Sequence, residues 1–367
     1  MRRKVQLLRG LAILAVLVGH AALWAIEPLA PARGVPLALE PWPLWQYHFL
    51  GAAAELSYFA VPAFFFGAGL FASYAIHEPG LHENAAFLSA RVKGLLRPLL
   101  FWSVVSFGVT WALGIPSMSA YLLNRLALGQ IEWGYFFPLA VLQMYLLAPL
   151  LVDQARRRPV RLLVVAFAVQ GLALAARMAG SVWGFLETVP TLGAGAGNYA
   201  LWRWLAYIAC GVVAGLHSTA IERFLSPRRH RLAGLALVSA GLMLAEGRLL
   251  AEGLDEPGWI ASQIRPGAVL YAFSCLALFF SVTISPTPAT RFIESAGGVS
   301  FSLLLLHPVC FRVLHHVLVL RAPELVRAQP VAAASIYLLV GGVPCVWMMT
   351  RLFQSRHRAF AATVFGH

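Results

Sequence analysis

Apolar residues run along this chain in blocks about as long as a bilayer is thick, and the polar residues gather between them. A helix needs about 20 predominantly apolar residues to cross hydrocarbon. Ten stretches meet or approach that length, at roughly 5–25, 47–75, 97–114, 134–152, 160–178, 199–216, 231–250, 267–284, 299–320 and 331–351. No long hydrophilic block is left over for a soluble domain. The pattern predicts an all-α membrane protein, a bundle of about ten transmembrane helices forming one polytopic unit over residues 1–367. The opening "MRRK" before an apolar stretch imitates a secretory signal, but the apolar part is too long and "AIEPLAPARG" gives only a weak cleavage site, so the stretch reads as a retained helix.

Composition strengthens this picture. Hydrophobic residues make up 60% of the chain, charged residues only 12%, and the mean hydropathy is +0.74, which excludes an ordinary water-soluble globule. The few basic residues then set the orientation, because cytoplasmic loops retain Lys and Arg. With the N-terminus inside, eighteen Lys and Arg fall in the inner segments and six in the outer loops. The bias predicts cytoplasmic N- and C-termini and an even helix count. It also accounts for the net charge of +13 without nucleic acid as a partner, since a basic inner face is a topology signal that suits anionic headgroups.

Two features that resemble chemistry are set aside. Cys210, Cys275, Cys310 and Cys345 all lie in predicted helices with no Cys-x-x-Cys spacing, so they read as small core residues, with neither a disulfide frame nor a metal site expected. "GAGAGN" (Gly193 to Asn198) is not followed by Lys-Ser/Thr and reads as a flexible outer turn, not a phosphate cradle.

The first helix carries the sharper signal. In "QLLRGLAILAVLVGH" (Gln6 to His20), Arg9 and His20 are eleven residues apart, and eleven steps of about 100° return a helix to nearly the same azimuth. Both side chains therefore share one stripe, about 16 Å apart along the axis. Ionisable groups at membrane depth must be buried in protein or line a polar cavity, and they mark functional sites by default. The competing reading is a snorkelling Arg9 and a His20 that hydrogen-bonds a neighbouring helix.

Five segments in order resemble one family, the integral-membrane acyltransferase-3 family, whose members often O-acetylate cell-surface carbohydrates. "LLRGLAILAVLVGH" is similar to its first-helix signature, with Arg9 and His20 at the family's spacing. "YFAVPAFFFGAGLF" (Tyr58 to Phe71) resembles its second signature, with Ala68 where serine is usual. "RVKGLLRPLLFW" (Arg91 to Trp102) resembles its basic entry to helix three. "EWGYFFPLAVLQMYLLAPLL" resembles its Trp-Phe-Leu to Tyr-Pro helix, and "GGVSFSLLLLHPV" (Gly297 to Val309) its late Ser-x-x-x-Tyr-Leu-x-His segment, with Leu304 or its neighbour replacing the tyrosine. The family often has Asp three residues before the arginine, where this chain has Gln6.

The resemblance implies an O-acyltransferase of the cell inner (cytoplasmic) membrane that moves an acyl group, acetyl from acetyl-CoA, to a hydroxyl of a surface or exported glycan, directly or through a partner acyl carrier. On that reading Arg9, helped by Arg91, Lys93 and Arg97 at the inner mouth, holds phosphate or pantetheine oxygens of acyl-CoA. His20 takes the proton from the attacking hydroxyl. His307, about 12 Å into helix nine, is a second catalytic candidate expected to line the channel between Arg9 and His20. No metal is expected. Glu55, Glu132, Tyr145 and Arg312 are weaker candidates, with Glu132 and Arg312 read as lying near helix ends.

The tryptophans add a clue independent of the family. Of eleven, nine fall in the predicted outer half, among them Trp42, Trp45, Trp204 and Trp259, and an aromatic belt alone should populate both interfaces. Indole faces suit sugar rings, so Trp42, Trp45 and Trp259 are candidates for binding the acceptor, with Glu252, Asp255 and Glu256 accepting hydroxyl hydrogen bonds. The alternative function is a secondary transporter or exporter of a lipid-linked sugar or small solute. Scarce deep carboxylates and the lack of an evident inverted repeat favour transfer chemistry.

Overall fold

The computed structural model describes residues 2–26, 44–77, 84–114, 134–183, 200–253 and 263–354. All regular structure among them is helical. Among the described residues, eight helical segments are long and apolar enough to cross a membrane: Arg3–Ile26, Trp45–Ala75, Ala85–Ala112, Phe136–Arg157, Pro159–Ala179, Ser218–Leu250, Ser300–Arg321 and Pro330–Phe353. The remaining two of the ten expected stretches form shorter apolar helices, Leu205–Leu216 and Pro266–Ser281. Each is shorter than the roughly 20 residues that a helix needs to span alone, so among the described residues eight of the ten expected stretches are full-length spans.

The elements used below are α1 (Arg2–Ile26), α2 (Leu44–Leu56), α3 (Ala60–Ala75), α4 (Ala85–Ala112), α5 (Phe136–Arg157), α6 (Pro159–Trp183), α7 (Leu205–Leu216), α8 (Ser218–Leu225), α9 (Arg229–Gly253), α10 (Pro266–Ser281), α11 (Pro288–Gly298) and α12 (Ser300–Arg321). A 3₁₀ turn, Ser57–Phe59, joins α2 to α3 within one span. α4 is longer than expected and starts at Ala85, so Arg91, Lys93 and Arg97 lie within a helix and not ahead of it.

Without a water-driven hydrophobic effect between helices, close packing in a bilayer depends on small residues that let backbones meet. Two such crossings organise this bundle. α1 packs along α11, where a Cβ on Gly10 would lie 1.9 Å from the Ile293 carbonyl oxygen and one on Gly297 would lie 1.9 Å from that of Gln6. α3 packs on α7, where a Cβ on Gly211 would lie 2.0 Å from the Phe66 carbonyl oxygen. The first crossing fixes α11, and with it the start of α12, against the half of α1 that carries Arg9. α11 itself starts at a capping box, Thr287 with Thr290, with Pro288 in its first turn. Arg3 pairs with Glu294 across the same seam.

A second buried arrangement holds α2, α9 and α10 together. Arg265, fully buried at the start of α10, pairs with Glu55 of α2, and Glu246 of α9 accepts from the Gly267 backbone N–H at 2.7 Å. One buried and one half-buried carboxyl group thus meet a buried guanidinium where the α2–α3 span is interrupted. Glu55 is committed to this helix junction, whereas the sequence left its role open.

Candidate active site

α1 is an uninterrupted helix, so the shared azimuth of Arg9 and His20 is realised in one continuous element. Each meets a residue of α12. Arg9 Nε donates to Ser300 Oγ at 3.1 Å. His20 Nδ1 lies 2.8 Å from His307 Nε2, with ring centroids 4.9 Å apart. Ser300 and His307 are seven residues apart, two helical turns, so α12 presents both to α1 from one face.

The tautomers of the histidine pair follow from its third partner. His307 Nδ1 lies 2.7 Å from the Leu303 carbonyl oxygen, which can only accept, so Nδ1 carries the hydrogen. With both rings neutral, His307 Nε2 is then the acceptor and His20 Nδ1 the donor. His20 is left with Nε2 as its proton-accepting nitrogen. His307 is fully buried, whereas His20 is partly exposed.

The Arg9 end opens into a cavity of about 170 Å³ whose lining includes Arg9, Ala68, Arg91, Tyr145, Ser300 and Leu304. Its walls come from α1, α3, α4, α5 and α12, the five segments whose motifs the sequence singled out. The Arg91 guanidinium lies over the rings of Phe71 at 4.5 Å and Phe87 at 5.3 Å, which fixes the cation beside the cavity. Leu304, about one turn before His307, lines the cavity on the α12 side. Pro308, next to His307, has no N–H to give the Leu304 carbonyl, so that acceptor lacks its normal helical donor. Tyr135, fully buried, donates to the Leu305 carbonyl at 2.7 Å and anchors this stretch of α12 to the turn before α5.

Several sequence expectations are revised. His307 does not sit between Arg9 and His20 but at the level of His20, because α12 runs beside α1 and the two rings bond directly. Lys93 and Arg97 are exposed and do not line the cavity. The helix repeat is the reason: at about 100° per residue they lie roughly 200° and 240° from Arg91 around α4, on its opposite side. Gln6 does not orient Arg9; its Oε1 has no hydrogen-bond partner among the described residues, and Ser300 performs that role. Arg312 is in the middle of α12 and not near its end, donating to Thr110 Oγ1 of α4.

The proposed sugar-binding aromatics divide. Of the three, Trp45 at the start of α2 is 64% exposed, as a ligand platform requires; Trp204, counted with them in the outer half but not a candidate for binding, is 1% exposed and stacks on Phe65 at 4.9 Å, a core role. Trp42, Glu132, Asp255, Glu256 and Trp259 lie outside the described residues, as does the side chain of Glu252. No cluster of three or more metal-ligating side chains occurs among the described residues.

Ser300, Tyr135 and the cavity role of Tyr145 carried no strong sequence signal. Ser300 was the most accessible of the three, because it sits two turns before His307 just as Arg9 sits three turns before His20.

A family model described as an acyltransferase domain, acyltransferase 3, matches residues 2–351. The chain belongs to the acyltransferase-3 family. The match spans α1 to the last described helix, so every wall of the Arg9 cavity and both histidines fall inside this acyltransferase domain. No curated protein and no solved structure matches the chain. The acyltransferase is a multi-pass membrane protein, as its apolar helices and its family both indicate.

Proposed function

We propose that this protein is an inner-membrane O-acyltransferase that moves acetyl from acetyl-CoA to a hydroxyl of a surface or exported glycan. The observation that carries the reading is the directed histidine pair, which leaves His20 Nε2 as a base on the stripe that also bears Arg9.

Arg9 and Arg91 supply two cations beside a mostly apolar cavity, an environment that strengthens charge-assisted bonds to phosphate or pantetheine oxygens. The pantetheine arm carries amide N–H groups, and the Leu304 carbonyl that Pro308 leaves without a helical donor offers one of them an acceptor. The arm then runs along α12 toward His307, and the thioester comes to rest near His20.

In the transfer step, His20 Nε2 takes the proton of the acceptor hydroxyl as its oxygen attacks the thioester carbonyl carbon. The tetrahedral intermediate collapses with cleavage of the carbon–sulfur bond. The imidazolium returns its proton to the departing CoA thiolate, so the base is regenerated. His307 Nε2 accepts the Nδ1–H of His20 throughout, which holds the ring in register and disperses charge when the imidazolium forms. Trp45 provides an exposed indole against which an acceptor sugar ring can pack.

The deciding experiment is mass spectrometry of the producer's surface glycans with and without the gene, complemented by parent or His20→Ala protein. O-acetyl groups that appear only with the parent support the reading. Identical acylation in all strains overturns it.

A further inference from the structure

A second open cavity, of about 610 Å³, lies between α5, α6 and α7, and its rim is basic where its walls are apolar. Arg157, Arg158 and Arg161 stand at the rim, while Leu150, Val165 and Leu205 line the interior. Helical geometry separates it from the Arg9 cavity. Counting about 100° per residue from Tyr145, which faces the Arg9 cavity, places Leu150, Gln154 and Arg157 roughly 120–180° away around α5. Leu150 is 57% and Val165 49% exposed, so these walls lie on the outer face of two helices long and apolar enough to cross a membrane.

The charges at the rim are not all equivalent. Arg156, next in the chain, caps α3 through the Ile76 carbonyl at 2.7 Å, and Arg157 pairs with Asp153 at 2.9 Å. Arg158 and Arg161 are exposed, with no ion pair among the described residues. Arg158 is eight residues from Leu150 in sequence, and seven of those steps are in α5, or about 10 Å of axial rise. That is the depth from a phospholipid phosphate to the first part of its acyl chains.

We propose that the α5–α6–α7 groove is a binding site for one anionic phospholipid, its phosphate held by Arg158 and Arg161 and an acyl chain lying along Leu150 and Val165. The occupant is a lipid and not the soluble acyl donor, because the apolar walls open sideways into the bilayer. Two uncommitted guanidiniums select an anionic headgroup over a zwitterionic one. A basic pocket between transmembrane helices at the membrane surface has the chemistry for this. The site is independent of the transfer reaction proposed above.

The test is native mass spectrometry of the purified full-length protein with phosphatidylglycerol or phosphatidylcholine added. The expected result is one retained phosphatidylglycerol per chain, with little phosphatidylcholine. Arg158→Ala with Arg161→Ala should weaken retention by on the order of tenfold or more. Arg229→Ala with Arg231→Ala, which removes the same charge from another exposed basic segment, should leave retention unchanged. Val165→Trp, with all charges kept, should displace the lipid by filling the groove. Equal retention in the Arg158/Arg161 variant, equal loss in the Arg229/Arg231 control, or retention in Val165→Trp would each overturn the proposal. So would full competition by glycerol phosphate, which would reduce the site to one for a free anion, or loss of acetyl-CoA binding in the Arg158/Arg161 variant, which would assign the groove to the donor.

Discussion

His20 Nδ1 and His307 Nε2 are 2.8 Å apart, with the hydrogen on His20 because Leu303 occupies the other nitrogen of His307. The two rings therefore have unequal roles, and removing them should have unequal effects. His20→Ala should abolish transfer, a loss on the order of 10²–10⁴ for a general base, with donor affinity changed only a few-fold. His307→Ala should lower kcat by less, on the order of 10²-fold at the bottom of that range, since the base survives without its orienting partner. His307→Gln should recover part of that loss, because an amide oxygen can accept the Nδ1–H. Single-turnover acetyl transfer with folded variants reads both effects. A larger loss from His307→Ala than from His20→Ala would reverse the assignment of the base.

Arg9 should act on binding instead. Removing a buried, charge-assisted contact costs about 1.5–3 kcal/mol, so Arg9→Ala should weaken acetyl-CoA binding by roughly ten- to a hundredfold. Arg9→Lys should rescue only in part, because an ammonium lacks the planar fork. Ser300→Ala removes a neutral acceptor worth about 0.5–1.5 kcal/mol, and should cost roughly two- to tenfold in affinity. Calorimetry with purified protein gives all three values. Unchanged affinity in Arg9→Ala would leave the arginine as a structural anchor.

The opposite placement of Arg91 and Arg97 on α4 separates two kinds of electrostatic effect. Arg91 lines the cavity and is held over Phe71, so Arg91→Ala should weaken acetyl-CoA binding at both low and high salt. Arg97 is exposed on the far side of α4, away from the cavity, and salt screens charges beyond about 10 Å at 0.1 M ionic strength. Arg97→Ala should therefore matter only at low ionic strength, and mainly through the association rate. A salt-independent loss in Arg97→Ala would bring that residue back into the donor site.

The sequence made legible whatever a helix repeat or a bilayer thickness encodes. Arg9 and His20 share a face because of the helix repeat alone, and the apolar spans follow from composition and length. Contacts across helices were not available in that way. The His20–His307 bond depends on the height at which α12 passes α1, which is set by the Gly10 and Gly297 crossing and by the short α11 before it. The same limit applies to Arg9, whose partner turned out to be Ser300 and not the residue one turn away at Gln6. Basic residues clustered as "RVKGLLR" looked like one functional group, but the helix divides Arg91 from Lys93 and Arg97.

The Arg265–Glu55 pair makes the last prediction, and it concerns stability more than chemistry. Arg265 is fully buried, Glu55 is 4% exposed, and they join α10 to the point where the α2–α3 span is interrupted. Arg265→Met leaves the buried Glu55 carboxylate without its guanidinium, and Glu55→Leu takes from buried Arg265 its close carboxylate, with Glu246 3.7 Å away; breaking a buried pair in this way costs about 3–5 kcal/mol. Glu55→Leu and Arg265→Met should each lower the thermal midpoint of the detergent-purified protein markedly. Replacing both removes the uncompensated charge, while Glu246 keeps its bond to the Gly267 N–H. The double variant should therefore be more stable than either single one, a coupling that a double-mutant cycle measures directly. Acetyl transfer per folded molecule should change little in the double variant, since the pair touches neither the histidines nor the Arg9 cavity. Simple additivity of the two losses would mean that the ion pair does not hold this junction together.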